Sequence, residues 1–133
     1  FRSGKLETLN LPDTFVNVNA VSIVFLFDME HSENKSSLQQ INIDKNNPKF
    51  SSYEGCIYEE KILRYIPSGR ITAKIKSDTV EIGDAASNAH MNLERIVIPD
   101  SVKKIGESAF QNCFGLKNIT LPDGIKKSEK LLS

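Results

Sequence analysis

The sequence predicts a solenoid of stacked repeats, mainly β-strands and turns with short helical segments. Three observations carry that prediction. An apolar pattern returns at a fixed step through the C-terminal half, earlier copies of it recur at a longer fixed step, and one unit alone holds too little apolar surface to fold.

The period is visible in the letters. Ile75, Ile98 and Leu121 follow one another in equal steps of 23, with Ala73, Ile96 and Ile119 two positions before each. Ile82-Gly83 and Ile105-Gly106 keep that offset, as do Ala86 and Ala109. Upstream, LETLNLPDTF (Leu6 to Phe15) matches LERIVIPDSV (Leu93 to Val102) position for position, and LQQINI (Leu38 to Ile43) is a further copy. The steps from Leu11 to Ile43 and from Ile43 to Ile75 are also equal, each longer by nine than the later ones. About five rungs follow, beginning near Leu6, Leu38, Arg70, Leu93 and Leu116, in a single domain over residues 1–133. Internal repetition of this length indicates units that bury their apolar faces against neighbours. Burying the eight or so apolar side chains of one unit falls well short of the entropy lost in ordering its backbone and side chains, so adjacent rungs must complete each core.

Each rung opens with L-x-x-I-x-I, whose last positions alternate apolar and polar as a half-buried strand requires, and a proline closes it in three of the five. The following V-x-x-I-G-x-x-A-F mixes spacings of three and four, which predicts an irregular turn or short helix. The first rung keeps Phe15 and Val18 but loses the Gly, the Ala-Phe pair and the Cys across residues 16–37. In the second rung Asn46-Asn47-Pro48 marks a turn, and a two-stranded β-hairpin insertion is expected at about residues 50–67. Its Phe50, Tyr53, Tyr58 and Tyr65 would be aromatic anchors if their side of the hairpin faces outward.

Composition narrows the function classes. Seventeen Lys and Arg balance seventeen Asp and Glu, so no general field exists to hold nucleic acid or an anionic bilayer. The longest apolar run, Ile23 to Phe27, ends at Asp28, far short of the roughly 20 residues that span a membrane, so no membrane insertion is expected. A start at Phe1 rather than Met reads as a piece of a longer protein. Two cysteines supply neither a disulfide framework nor a four-ligand metal site, and no cofactor is expected.

No stretch makes a convincing catalytic motif. Ser108 lies in G-E-S-A-F rather than G-x-S-x-G, and its repeat counterpart is Ala85, so it reads as a turn residue. Cys113 occupies the position that His90 fills one repeat earlier, which suits a packing site better than a Cys-His pair, and Cys56 reads as an apolar strand residue. Asp28, Glu30, His31 and Glu33 read as a solvated loop in preference to a metal cluster. Asp44-x-Asn46 fails as a calcium loop because Pro48 takes the next ligand position. Asn34-Lys35-Ser36 and Asn118-Ile119-Thr120 are glycosylation sequons by pattern. Lys103 and Lys104 align with Lys126 and Lys127 as a short basic ladder.

Repeat arithmetic points instead to the outward side of the strands. Thr8, Gln40, Thr72, Arg95 and Asn118 form one expected row, and Asn10, Asn42, Lys74, Val97 and Thr120 a second. These are the candidate ligand-binding residues. The rows are polar and free of aromatics, which favours a protein or peptide partner over a stacked sugar.

LERIVIPDSVKKIGESAFQNCFGLKNITLPDGIKK resembles the BspA-like (Treponema pallidum type) leucine-rich repeat, and NNPKFSSYEGCIYEEKILRYIPSGR resembles the hairpin-bearing unit of that family. The resemblance implies a leucine-rich repeat solenoid from a bacterial or protist cell-surface or secreted protein, several relatives being adhesins for host matrix proteins or other microbes. It implies no catalytic residue. The expected function is a non-catalytic binding or adhesion module, with a structural spacer in a longer array as the alternative. The last strand, Leu116 to Leu121, is expected to leave an edge through which the fragment could pair with itself.

Overall fold

The L-x-x-I-x-I segments become parallel strands in the register that the repeats require. The computed structural model describes residues 7–17, 19–30, 38–87, 90–106, 108–122 and 125. Strand β1 (Thr8–Leu11) pairs with β2 (Gln40–Ile43), Thr8 facing Gln40 and Leu11 facing Ile43, which is the longer repeat step. Strands β6 (Thr72–Ala73), β8 (Arg95–Val97) and β10 (Asn118–Thr120) form a second parallel sheet, in which Thr72, Arg95 and Asn118 are aligned at the shorter step. Alternate residues, Ala73, Ile96 and Ile98 among them, turn into the core.

The V-x-x-I-G-x-x-A-F stretch is a turn in its second half, as expected, over residues 84–87 and from Ser108 onward, but not in its first half. It opens with two-residue strands, β7 (Glu81–Ile82) and β9 (Lys104–Ile105), which pair in parallel. Such a strand is too short for alternation to register in the letters. Gly106 N donates to Ile82 O and Gly83 N to Leu63 O, both at 2.8 Å. The backbones touch there: a Cβ on Gly106 would stand 2.6 Å from Asp84 N and 2.7 Å from its Cα. The recurring Ile-Gly pair is therefore a stacking contact, not a flexible turn.

The second unit carries three antiparallel strands, not two: β3 (Ser51–Tyr53), β4 (Cys56–Glu59) and β5 (Ile62–Tyr65). Glu54 at φ 50° and Gly55 at φ 79° supply the two left-handed residues of a type I′ turn between β3 and β4. β5 then pairs in parallel with β7, so the insertion joins the sheet of β7 and β9. It is covered on both faces. Ile57 and Tyr65 enter one core with Val24, Leu38, Ile41 and Phe50, while Cys56, Tyr58 and Leu63 enter another with Ile82, Leu93, Ile96 and Phe110. Phe50, Tyr58 and Tyr65 are consequently buried, and Tyr53, half-buried, meets Tyr58 edge-on at 6.2 Å. These aromatics are core, which corrects their reading as surface anchors.

The first unit spends its extra length on the helix α1 (Ala20–Glu30). Asn17 Oδ1 accepts from Asn19 N at 2.7 Å just before it. Ala20, Val24 and Asp28, at helical spacing, face inward and are buried. Among the described residues no helix is long and apolar enough to cross a membrane.

Candidate functional site

Both predicted rows reach the surface. Thr8, Asn10, Gln40, Thr72, Lys74, Arg95, Val97, Asn118 and Thr120 are exposed and Asn42 is half-buried. Pairing sets Thr8 beside Gln40 and Asn10 beside Asn42; separately, Thr72, Arg95 and Asn118 share a line, with Val97 beside Thr120. Within the first group the amides are linked, Gln40 Nε2 donating to Asn42 Oδ1 at 2.8 Å and Asn42 Nδ2 to Asn10 Oδ1 at 3.0 Å. In the second, Ala73, Ile75, Val97 and Pro99 line a shallow depression of about 360 Å³ beside Lys74. Val97, 64% exposed, gives this end an apolar spot within an otherwise polar face.

The rows are not continuous. β2 does not pair with β6; the Glu54–Gly55 turn stands between them. Ile41 N donates to Gly55 O at 2.9 Å, and Arg70 Nη1 donates to Glu54 O at 2.6 Å. Gly55 is required here on two counts, its positive φ and the crowding that a Cβ would meet, 3.0 Å from Arg70 Nη1 and 3.2 Å from Gln40 Cα. The break leaves an open polar depression of about 550 Å³ lined by Gln39, Gln40, Asn42, Ser52, Glu54, Gly55 and Arg70. Sequence reasoning foresaw Gln40 and Asn42 but missed Ser52, Glu54 and Arg70. The signal available was Arg70 itself, a charge at the position that Leu38 and Leu93 fill as buried residues.

The remaining candidates resolve into structural roles. Asp28 is buried, not solvated: its carboxylate accepts from Tyr65 Oη at 2.5 Å, Ser68 Oγ at 2.6 Å and Ser68 N at 2.9 Å. The Glu30 side chain, His31 and Glu33 lie outside the described residues, as do Asn34, Lys126 and Lys127. Among the described residues no three His, Cys, Asp or Glu side chains converge on a metal position. Cys113 is buried and donates to Ser87 O at 2.8 Å, while the His90 ring meets Tyr65 edge-on at 5.3 Å. Burial, above all, pushes the Cys56 thiol up to about 12, so it stays protonated and unreactive near neutrality. Lys104 faces Glu81 across the β7 and β9 pair, so the short basic ladder does not extend into the preceding unit. Ser108 is half-buried in a turn, with Ala85, its repeat counterpart, at φ 60°.

Comparison with known proteins agrees with this geometry. A family model described as "BspA type Leucine rich repeat region (6 copies)" matches residues 80–131. No curated protein matches significantly. Among solved structures, "The Crystal structure of Pneumococcal vaccine antigen PcpA" aligns with a TM-score of 0.68 at 23% identity, over 91% of this chain and 29% of that one. The chain thus spans under a third of PcpA's length, and the likeness is one of fold. Residues 80–131 therefore match BspA-type leucine-rich repeats, and most of the chain shares its fold with part of the PcpA structure.

Proposed function

We propose that this chain is a segment of a leucine-rich solenoid of about five rungs, forming one domain, that works as a non-catalytic module displayed on a cell surface or secreted, where it binds a protein partner through the outward side of its strands. The observation that carries the reading is the register: Thr72, Arg95 and Asn118 stand side by side, exposed, on a parallel sheet, with the linked Asn10, Asn42 and Gln40 amides on a separate two-stranded sheet across the Glu54–Gly55 turn. Ordered polar side chains on fixed strands lose little rotamer freedom on binding, so many small contacts can sum to a useful affinity. The structural likeness to a vaccine antigen supports an extracellular setting, because such an antigen must be reachable by antibody. A host matrix protein or another cell-surface protein is the partner class, and the edge of β10 is a route for pairing between copies.

The test is solid-phase binding of the folded chain to a panel of extracellular-matrix proteins and to intact cells. A variant with Arg95→Ala and Asn118→Ala, both exposed, is expected to keep its circular dichroism spectrum and to lose at least roughly tenfold in affinity. Binding that is unaltered would assign the strand face to a spacer role.

A further inference from the structure

Arg70 breaks the repeat at its most regular position. Leu38 and Leu93, its counterparts in the neighbouring units, are buried, and Leu116 packs against the same core as Leu93. Arg70 is half-buried, and among the described residues its guanidinium makes one hydrogen bond, to Glu54 O, and no ion pair. A guanidinium carries five donors in a flat fork suited to two parallel hydrogen bonds with a carboxylate. Here the fork has donors to spare, and Arg70 lines a polar depression together with Gln40 and Ser52. The Glu54–Gly55 turn fixes it in place, since Gly55 leaves room for Nη1 where any other residue would crowd it. Departures from a repeat that weaken its core concentrate at functional sites.

From this we infer that the depression between β2 and β6 is a carboxylate-reading subsite, in which Arg70 grips an Asp or Glu side chain, or a chain terminus, of an extended polypeptide partner. The proposal rests on the protein-binding reading above and adds to it the chemistry recognised and the residue that recognises it. Gln40 and Asn42 would meet the partner's flanking backbone amides, because each keeps hydrogen-bonding capacity beyond the ladder they share. The Glu54 carboxylate, exposed in the same lining and forming no ion pair with Arg70, opposes an incoming anion and sets the affinity low.

The experiment is an NMR titration of the labelled chain, following the Arg70 Nε–H and Gln40 side-chain signals. The probes are a blocked Ser/Gly hexapeptide with one central Glu, the same peptide with Gln, an unblocked Ser/Gly peptide ending in a free carboxylate, and sodium acetate. Saturable shifts with the Glu peptide or the free C-terminus, half-complete on the order of 1 mM, are expected, the two arms deciding which carboxylate is preferred. Glu54→Gln should tighten binding two- to threefold, a gain that a purely structural Arg70 would not produce. Arg70→Leu, which restores the residue of the other units, should remove the response while keeping a dispersed spectrum, and Arg70→Lys should weaken it several-fold. Equal shifts with the Gln peptide, with acetate alone, or in Arg70→Leu would overturn the proposal. If the Arg95 and Asn118 double variant loses matrix binding while Arg70→Leu retains it, the subsite is wrong and the proposed function stands; absence of any matrix binding would overturn the proposed function, and the subsite then stands or falls on the peptide titration alone.

Discussion

Removing the Asp28 carboxylate should destabilise the fold more than any other single polar change described above. Three donors, Tyr65 Oη, Ser68 Oγ and Ser68 N, converge on it in a site where Asp28 is 1% and Tyr65 0% exposed. Asp28→Ala would leave all three donors buried without their acceptor, and orphaning such groups costs about 1–3 kcal/mol each. An opposing effect is small. Asp28 lies in the last turn of α1, where a negative charge is disfavoured by roughly 0.5 kcal/mol, and that much is regained. Relaxation of the site lowers the sum further, and a net loss of about 4 kcal/mol is expected. For a chain of 133 residues this lowers Tm by about 15 °C. Tyr65→Phe removes one donor and should cost about 1.5 kcal/mol, with a coupling to Asp28→Ala of about 1 kcal/mol or more in a double-mutant cycle. Urea and thermal melts by circular dichroism measure each quantity. An Asp28→Ala loss below about 1 kcal/mol, or a coupling near zero, would refute the view that this cluster ties α1 to the turn at Ser68.

Two further outcomes follow from the same structure. Gly106→Ala should cost about 2–3 kcal/mol in urea unfolding, because its Cβ would meet the Asp84 backbone at 2.6 Å; a change under about 0.5 kcal/mol would show that the stacked backbones can part freely. Stability should also fall on the alkaline side. Burial first, then the Asp28 charge, raises Tyr65 well above its usual range, and burial raises Cys56 and Tyr58 to about 12 each. A raised acid of this kind stays protonated in the folded state while the unfolded chain ionises, so its contribution is intact below the unfolded value and is lost as pH climbs past it. The decline should begin near pH 9 with Cys56 and steepen above pH 10 with the two tyrosines, each adding about 1.4 kcal/mol per pH unit. Chemical melts from about pH 8 to 11 test this, and Cys56→Ala should flatten the first part of the curve.

What the letters disclose is set by how locally each feature is encoded. Parallel pairing of Thr8 with Gln40 and of Arg95 with Asn118 was legible because the period fixes the register, and the outward placement of the rows came with it. The β7 and β9 sheet was not, since its strands are too short to leave an alternation to read. Asp28 misled because a carboxylate after an apolar run ordinarily marks solvent; the residues that make it a core group, Tyr65 and Ser68, lie 37 and 40 positions away. The hairpin aromatics misled for a related reason. Alternation shows that β4 and β5 have two faces but not that both are covered, which depends on where two separate groups of repeats close around them. In the candidate site, Gln40 and Asn42 follow from the period, whereas Arg70 becomes informative only when set against the leucines of the other units.

The position of the β3–β4–β5 meander also bears on how the chain folds. Its strands close over two-residue connections, while the parallel pairs of the repeats must each bridge a full repeat step, and loop closure over the longer span costs roughly 1.5 kcal/mol more. The meander is therefore the strand pairing with the lowest closure cost, and Ile57 and Tyr58, adjacent in sequence, present opposite apolar templates. Growth can proceed outward from it in both directions, one repeat at a time, with the insertion serving as the seed of a process that repeat arrays without such an element must start at random.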